Sequence, residues 1–530
     1  MSKFCWLFVV FFHFICSCGN ESSFSDMEKK NIVSINLGND SIQLDPRLAR
    51  NLPSFNVLKM LYEGLTRLDE NMNPASAIAE KIDVSEDGMV YTFYLRKTFW
   101  SDGSPLTAQD FEYTWKSLLR PNFPAEYANV FYVIKNAKES FEGKVGEEEI
   151  GVKAVDDYTL SVRLEYPNPH FLHLVSLPVF SPISKKQDLK NPNWSSDSRA
   201  NLISNGPFIL SSWKDCDEIK LVKNPLYFDK EQVKLEGIRL FMLDESTELS
   251  MFEVGKIDWA GSPISTIPAD AIKSFKEEGK LFFASSLGTH FFRFNIERPP
   301  FHNAKMRKAL SYAVHRSAIA EHVLLGGQIP AMGFLPPGIG VKEDGYFKDY
   351  DAALAKKMFN ESLEEMQISK EDLPRMTLIY TMNDRSHKLA QAVQQQWKET
   401  LGIDVFLENM DGKAFLQKRK SGDYQIANGS WIADYSDPMN FLEIFQYKSN
   451  GTNNTFWEDG NYCETLKMAQ REGNMQRRQI FLREAERILM EEMPILPTFY
   501  YTFAYLKHKD LDGVFLSDLG VLDFKTAYFK

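Results

Sequence analysis

Two aspartates three residues apart, Asp434 and Asp437, stand in the segment 428–442, where a strand-like stretch gives way to a helix-like one. Tyr424, Ile426 and their neighbours have the make-up of a strand ending near Trp431. Asp437-Pro438 has the form of a helix cap followed by a first-turn proline. Asp434 therefore falls in the loop just past the strand, free of capping duty. In sheets covered by helices, ligands are held at such loops, beyond the carboxyl ends of the strands. A second charged group, Lys418, Arg419 and Lys420, is either a grip on an anion or a solvated basic run.

Catalytic sets are not assembled anywhere in the chain. It holds no GxSxG elbow, no HExxH zinc helix and no GxxxxGK[ST] phosphate loop, so it does not itself hydrolyse ATP through such a loop. The nine histidines are scattered. His170 and His173 could share a metal, but Pro167 and Pro169 oppose a helix there and no cysteine or carboxylate cluster completes a site. Neither a metal nor a cofactor is expected. A net charge of −11 repels phosphate backbones and argues against nucleic acid as a partner.

Three of the five cysteines, Cys5, Cys16 and Cys18, crowd the amino terminus. Lys3 precedes an apolar run from Phe4 to Ile15, short for a membrane span, which takes about 20 residues, and better matched to an export signal. Ile15-Cys16-Ser17-Cys18-Gly19 resembles a bacterial lipobox, with Ile15 where leucine is usual and Cys16 an uncommon neighbour. That resemblance implies a signal over 1–18, acylation of Cys18, a polar tether over 19–29 and an extracytoplasmic, lipid-anchored protein; an ordinary cleaved signal is the alternative. Cys216 and Cys463 remain in the body and read as two unconnected thiols.

A chain of 530 residues exceeds one compact core, so two or three lobes are expected. Residues 31–37 and 90–95 read as strands, and 153–164 as two short strands about an Asp-Asp turn. Residues 56–68 carry Val57, Leu58, Leu61, Tyr62 and Leu65 at helical spacing. Thr107 caps a helix through Phe111 and Trp115. Further on, strand and helix alternate: a strand over 291–296, helices from Asn303 and Asp351, a strand over 376–381, a helix striped by Leu389, Val393 and Trp397 and stopped at Gly402, then a strand through Ile403, Val405 and Leu407. This is the order of an α/β lobe.

Several stretches together resemble the extracytoplasmic peptide-binding subunits of ABC importers, in particular the oligopeptide-binding proteins. They are LDPR (44–47), LYEGLTRLD (61–69), WSDGSPLTAQDFEYTW (100–115), GVKAVDDYTLSVRL (151–164), NGPFIL (205–210), RPPFHNAKMRKALSYAVHRSAI (298–319) and WIADYSDPMNFL (431–442). The resemblance implies an α/β, periplasmic-binding-protein-like fold (type II, cluster C), with two hinged lobes and an inserted domain. Domain I would comprise 30–62, 186–287 and 503–530, domain II 63–185 and domain III 288–502. It also implies a monomer that closes on an oligopeptide and passes it to ABC permease subunits, without being an enzyme.

By the same resemblance Asp434, the aspartate of the ADY motif, holds the ligand's amino terminus. Leu52, Gly429, Ser430 and Trp431 lie along the ligand, with Tyr127 and Tyr501 nearby. Arg419 matches a family arginine that meets a ligand carboxylate, and His387 stands near a family histidine, whose place Ser386 otherwise takes. Departures from the family pattern are Gly412 for a stacking tryptophan, Asn428 for a second arginine and Arg50 at an acidic position. They suggest rebuilt side-chain pockets and a cargo such as cell-wall peptides. The alternatives are a non-peptide cargo (a nickel complex, haem or an oligosaccharide) or a sensory or adhesive lipoprotein.

Overall fold

A computed structural model describes residues 31–38, 41–197, 201–340, 342 and 344–530. The expected signal, the lipidation site Cys18 and the tether lie outside the described residues.

The centre is a mixed sheet of eleven strands. In chain order they are β1 (Ile32–Asn36), β2 (Phe208–Lys214), β3 (Glu218–Lys223), β4 (Gly237–Phe241), β5 (Trp259–Gly261), β6 (Leu281–Phe294), β7 (Ile329–Pro330), β8 (Met376–Thr381), β9 (Val405–Met410), β10 (Ile426–Ile432) and β11 (Ile495–Lys507). Across the sheet they run β2-β3-β4-β1-β5-β11-β6-β10-β8-β9, with β7 on the side of β11.

The long strands β6 and β11 join the two halves. One end of β11 pairs with β5 through Trp259↔Lys507, while the far half of β6 pairs with β10. Between these regions the ladder breaks: Ser285 faces Thr502, but Thr289 faces Tyr500, so β6 carries extra residues. A bulge of this kind bends and twists a strand pair. Past the break β6 is covered on both faces, with Phe292 and Phe294 in one core cluster and Phe291 in another. That double cover explains its unbroken aromatic run.

Helices around β8 follow the sequence reading. Asn383 accepts from Ser386 N to cap Asp384–Leu401, Leu389, Val393 and Trp397 are buried, and Gly402 ends the helix at φ 66°. Asn303 and Asp351 cap Ala304–Tyr312 and Ala352–Met366. The segment between β1 and β2 holds an antiparallel sheet ordered Ala79–Val84, Val90–Leu95, Thr159–Arg163, Val152–Asp156. Against it lies the helix Ala108–Leu118, opened by a Thr107/Asp110 capping box.

One expectation needs correction. The helix read over 56–68 spans Leu52–Leu61 instead, because Asn51 caps it earlier and Tyr62 turns extended. Glu63 N donates to Asn205 Oδ1 at 3.0 Å, and Thr66–Leu68 pairs as a strand with Pro74–Ser76. Here Glu63 accepts from Arg67 Nη1 at 2.7 Å and from Tyr227 Oη at 2.6 Å, and Arg67 also pairs with Asp523. Partners more than a hundred residues away outweigh a helical period that the local sequence does carry. Cys216 is exposed and Cys463 buried, and both are free.

Candidate functional site

The site begins with the unequal neighbours of β10. Along one edge it pairs antiparallel with β6 from Phe294↔Ile426 to Gly288↔Ile432. Along the other, parallel β8 is matched to it at Ile426 and Ala427 alone. Among the described residues, Asn428–Ile432 therefore has a strand partner on one side only. Its outward N–H and C=O groups form a template for an added strand. Ser430 is exposed on this stretch, whereas Gly429 is buried.

Where β10 ends, Ala433 N donates to Leu287 O at 2.8 Å. Asn440, which is 2 % exposed, then fixes the loop. Its Oδ1 accepts from Trp431 Nε1 and from Asp434 N, both at 3.0 Å, and its Nδ2 donates to Asp434 Oδ2 at 3.4 Å. The Asp434 carboxylate is half-buried, and no ion pair holds it among the described residues. Burial pushes its pKa above the usual value, with the Asn440 bond a partial offset. It is a carboxylate short of a positive partner.

Aromatic groups surround that carboxylate. Burial, helped by the Asp434 charge, pushes the Tyr127 hydroxyl up to about 12. Tyr127 meets Phe55 edge-on at 5.3 Å. Phe55 lies on the helix that Leu52 opens, and Leu52 itself packs against Gly520. Tyr501 is hydrogen-bonded to Ser430. The structure thus brings Asp434, Trp431 and Tyr127 together, sets Ser430 and Tyr501 beside them along β10, and puts Leu52 on the Tyr127 side.

Two sequence candidates lie elsewhere. His387 is exposed on its helix, with Nδ1 at 2.7 Å from Tyr380 Oη, and it is Ser386 that meets Asn428, at 3.4 Å. Arg419 is half-buried on the helix Gly412–Ser421, beside Arg293 of β6. Asp437 does more than cap. Its Oδ1 accepts from Met439 N at 2.7 Å, and both its oxygens take Arg478 at 2.9 Å. His170 Nε2 also lies 2.9 Å from Oδ2. Burial alone would raise this carboxyl, but His170 and Arg478 hold it well below its usual range. Near it, burial pushes Glu443 up to about 7, with Asp437 and Asp434 adding to the shift. Asn440, Glu443 and Arg293 escaped sequence reasoning because no motif or spacing marks them, and their roles come from residues brought close by folding.

Residues 73–453 match the model of the bacterial extracellular solute-binding proteins, family 5 middle region. That span is well over half of the chain. This is a family 5 solute-binding protein. Such a protein has the mixed α/β, two-lobed architecture found here, and the family lies outside the cytoplasm. The chain is 38% identical to the oligopeptide-binding protein OppA of Bacillus subtilis, over 99% of this chain and 98% of that one. Among solved structures it is similar to the unliganded open form of the murein tripeptide-binding protein MppA, with TM-score 0.81, 28% identity, and 94% and 98% of the two chains covered. It is also similar to Haemophilus influenzae OppA in complex with the peptide RPPGFSPFR, with TM-score 0.74, 27% identity, and 94% and 99% covered.

Proposed function

We propose that this family 5 protein captures peptides outside the cytoplasm, holding the ligand's α-ammonium at Asp434 and its backbone along the open edge of β10. The observation that carries the reading is the half-buried Asp434 carboxylate, without a cation, beside an unpaired strand edge. An ammonium supplies the missing charge, and an extended backbone supplies the missing ladder, whatever the side chains are. Gly429, Ser430 and Trp431 border the backbone, while Leu52, Tyr127 and Tyr501 wall the cleft. Names of relatives and neighbours as binders of oligopeptides and murein tripeptide support the same class of cargo.

We divide the chain into domain I (30–62, 186–287, 503–530), domain II (63–185) and domain III (288–502), with closure about the break in the β6–β11 ladder. The protein acts as a monomer, is anchored through Cys18 and hands its cargo to an ABC permease. It binds without cleaving. Titration of the purified protein with a defined tripeptide should give one site per chain, and the peptide should be recovered uncut by mass spectrometry. Failure of short peptides of any sequence to bind removes the reading. A murein peptide as cargo draws support from the likeness to the murein tripeptide binder. Equal affinity for a murein tripeptide and a lysine-rich tripeptide would remove that refinement alone.

A further inference from the structure

Beside β10 lie two arginines whose charge nothing among the described residues balances. Arg293, opposite Ala427 in the β6–β10 ladder, is 2 % exposed. Its Nε donates to Asn453 O at 3.3 Å, and its guanidinium lies over the Phe291 ring at 4.6 Å. Its Nη1 finds no hydrogen-bond partner, and neither does Nε of the half-buried Arg419. No described ion pair includes either residue. Burial drives the Arg293 guanidinium down to about 9, and the charge of Arg419 adds to the shift. A buried cation with no counter-charge is costly to a fold, and two side by side are costlier.

Geometry ties this pair to the open edge. A Cβ on Gly429 would fall 1.9 Å from Arg293 Nη1, so the guanidinium occupies the space where residue 429 has no side chain. Gly429 lies three residues back from the end of β10, about 10 Å at the usual strand rise. A ligand with its amine at Asp434, running extended along the edge, brings its second or third residue abreast of Gly429. A guanidinium fork is matched in shape to a carboxylate.

We propose that Arg293 and Arg419 form a subsite for a carboxylate on the second or third ligand residue, carried as an acidic side chain or as the carboxyl terminus of a short peptide. The proposal rests on the peptide reading and narrows it to anionic ligands. It assigns Arg293, a residue of the strand next to the ligand edge, as the second half of a grip that Arg419 alone would make weakly.

Isothermal titration with three peptides tests it: Ala-Glu-Ala amide, Ala-Gln-Ala amide and Ala-Gln-Ala with a free carboxyl terminus. At least one carboxylate-bearing peptide should bind tenfold or more tightly (~1.4 kcal/mol) than the neutral amide, and the one that does identifies the source of the charge. Arg293→Met should collapse that preference to within roughly threefold while sparing the neutral amide's affinity. Arg419→Gln, on a more exposed helix, should reduce it in the same direction, which keeps the test sound if Arg293→Met does not fold. Equal binding of all three by the unaltered protein, or a preference that survives both substitutions, overturns the subsite but leaves the peptide reading standing. Binding of none of them removes both.

Discussion

Replacing Asp434 by asparagine keeps the shape and removes the charge. In the ligand-free protein the carboxylate has one weak side-chain partner, Asn440 at 3.4 Å, and burial raises its pKa. A charge-assisted hydrogen bond to a ligand ammonium contributes about 1.5–3 kcal/mol, so Asp434→Asn should weaken peptide binding by roughly 10- to 150-fold. Blocking the ligand's amine by acetylation should weaken binding to the unaltered protein by a similar factor. In a double cycle read by isothermal titration, the two losses should not add, because they remove one interaction. The sign for stability is opposite. A carboxyl whose folded-state pKa is raised lowers stability as pH climbs through that range, so the ligand-free variant should melt at a higher temperature at pH 7. By the same linkage, affinity should fall as pH drops through the raised pKa. Two results would refute the assignment: acetylated peptide binding as tightly as free peptide, or losses that add in full.

Three further outcomes follow from geometry already given. Gly429→Ala drives a methyl into Arg293 Nη1, so urea unfolding should show a loss of about 1–3 kcal/mol, and an unchanged midpoint would mean that Arg293 moves freely. Glu443 sits at about 7 against an ordinary 4.5, so stability is lost as pH rises through 7; Glu443→Gln should therefore stabilise by up to about 3 kcal/mol at pH 8 and hardly at all below pH 4.5, as read from melting curves across pH. Arg478→Met strips the bidentate partner from buried Asp437 and should cost about 3 kcal/mol in chemical denaturation, the low end of the range for broken buried pairs, because His170 remains.

The legible parts of this protein were those written locally. Asn383, the Leu389-Val393-Trp397 stripe and Gly402 specify their helix without help from the rest of the chain, and the Thr107/Asp110 box does the same for another. The loop position of Asp434 followed from a strand and a proline-opened helix on either side of it. Lost to sequence reading was whatever depends on distant partners. Leu61 ends a helix because residues near 205, 227 and 523 bind the segment that follows. Asp437 looks like a cap until Arg478 and His170 fold against it. Arg293 shows the converse: its position in an aromatic strand is unremarkable, and its importance lies in a counter-charge that the fold does not bring.

The two strands that cross from one half of the sheet to the other also decide which half is free to swing. β1 opens the described chain, and Leu511, Leu522 and Phe524, near the other terminus, pack into the same core as β1. Both chain ends therefore belong to one side of the bulge at Ser285–Thr289. Any mooring ahead of Ile32 would hold that side still, like the fixed jaw of a vice, and leave the jaw bearing Asp434 as the moving one.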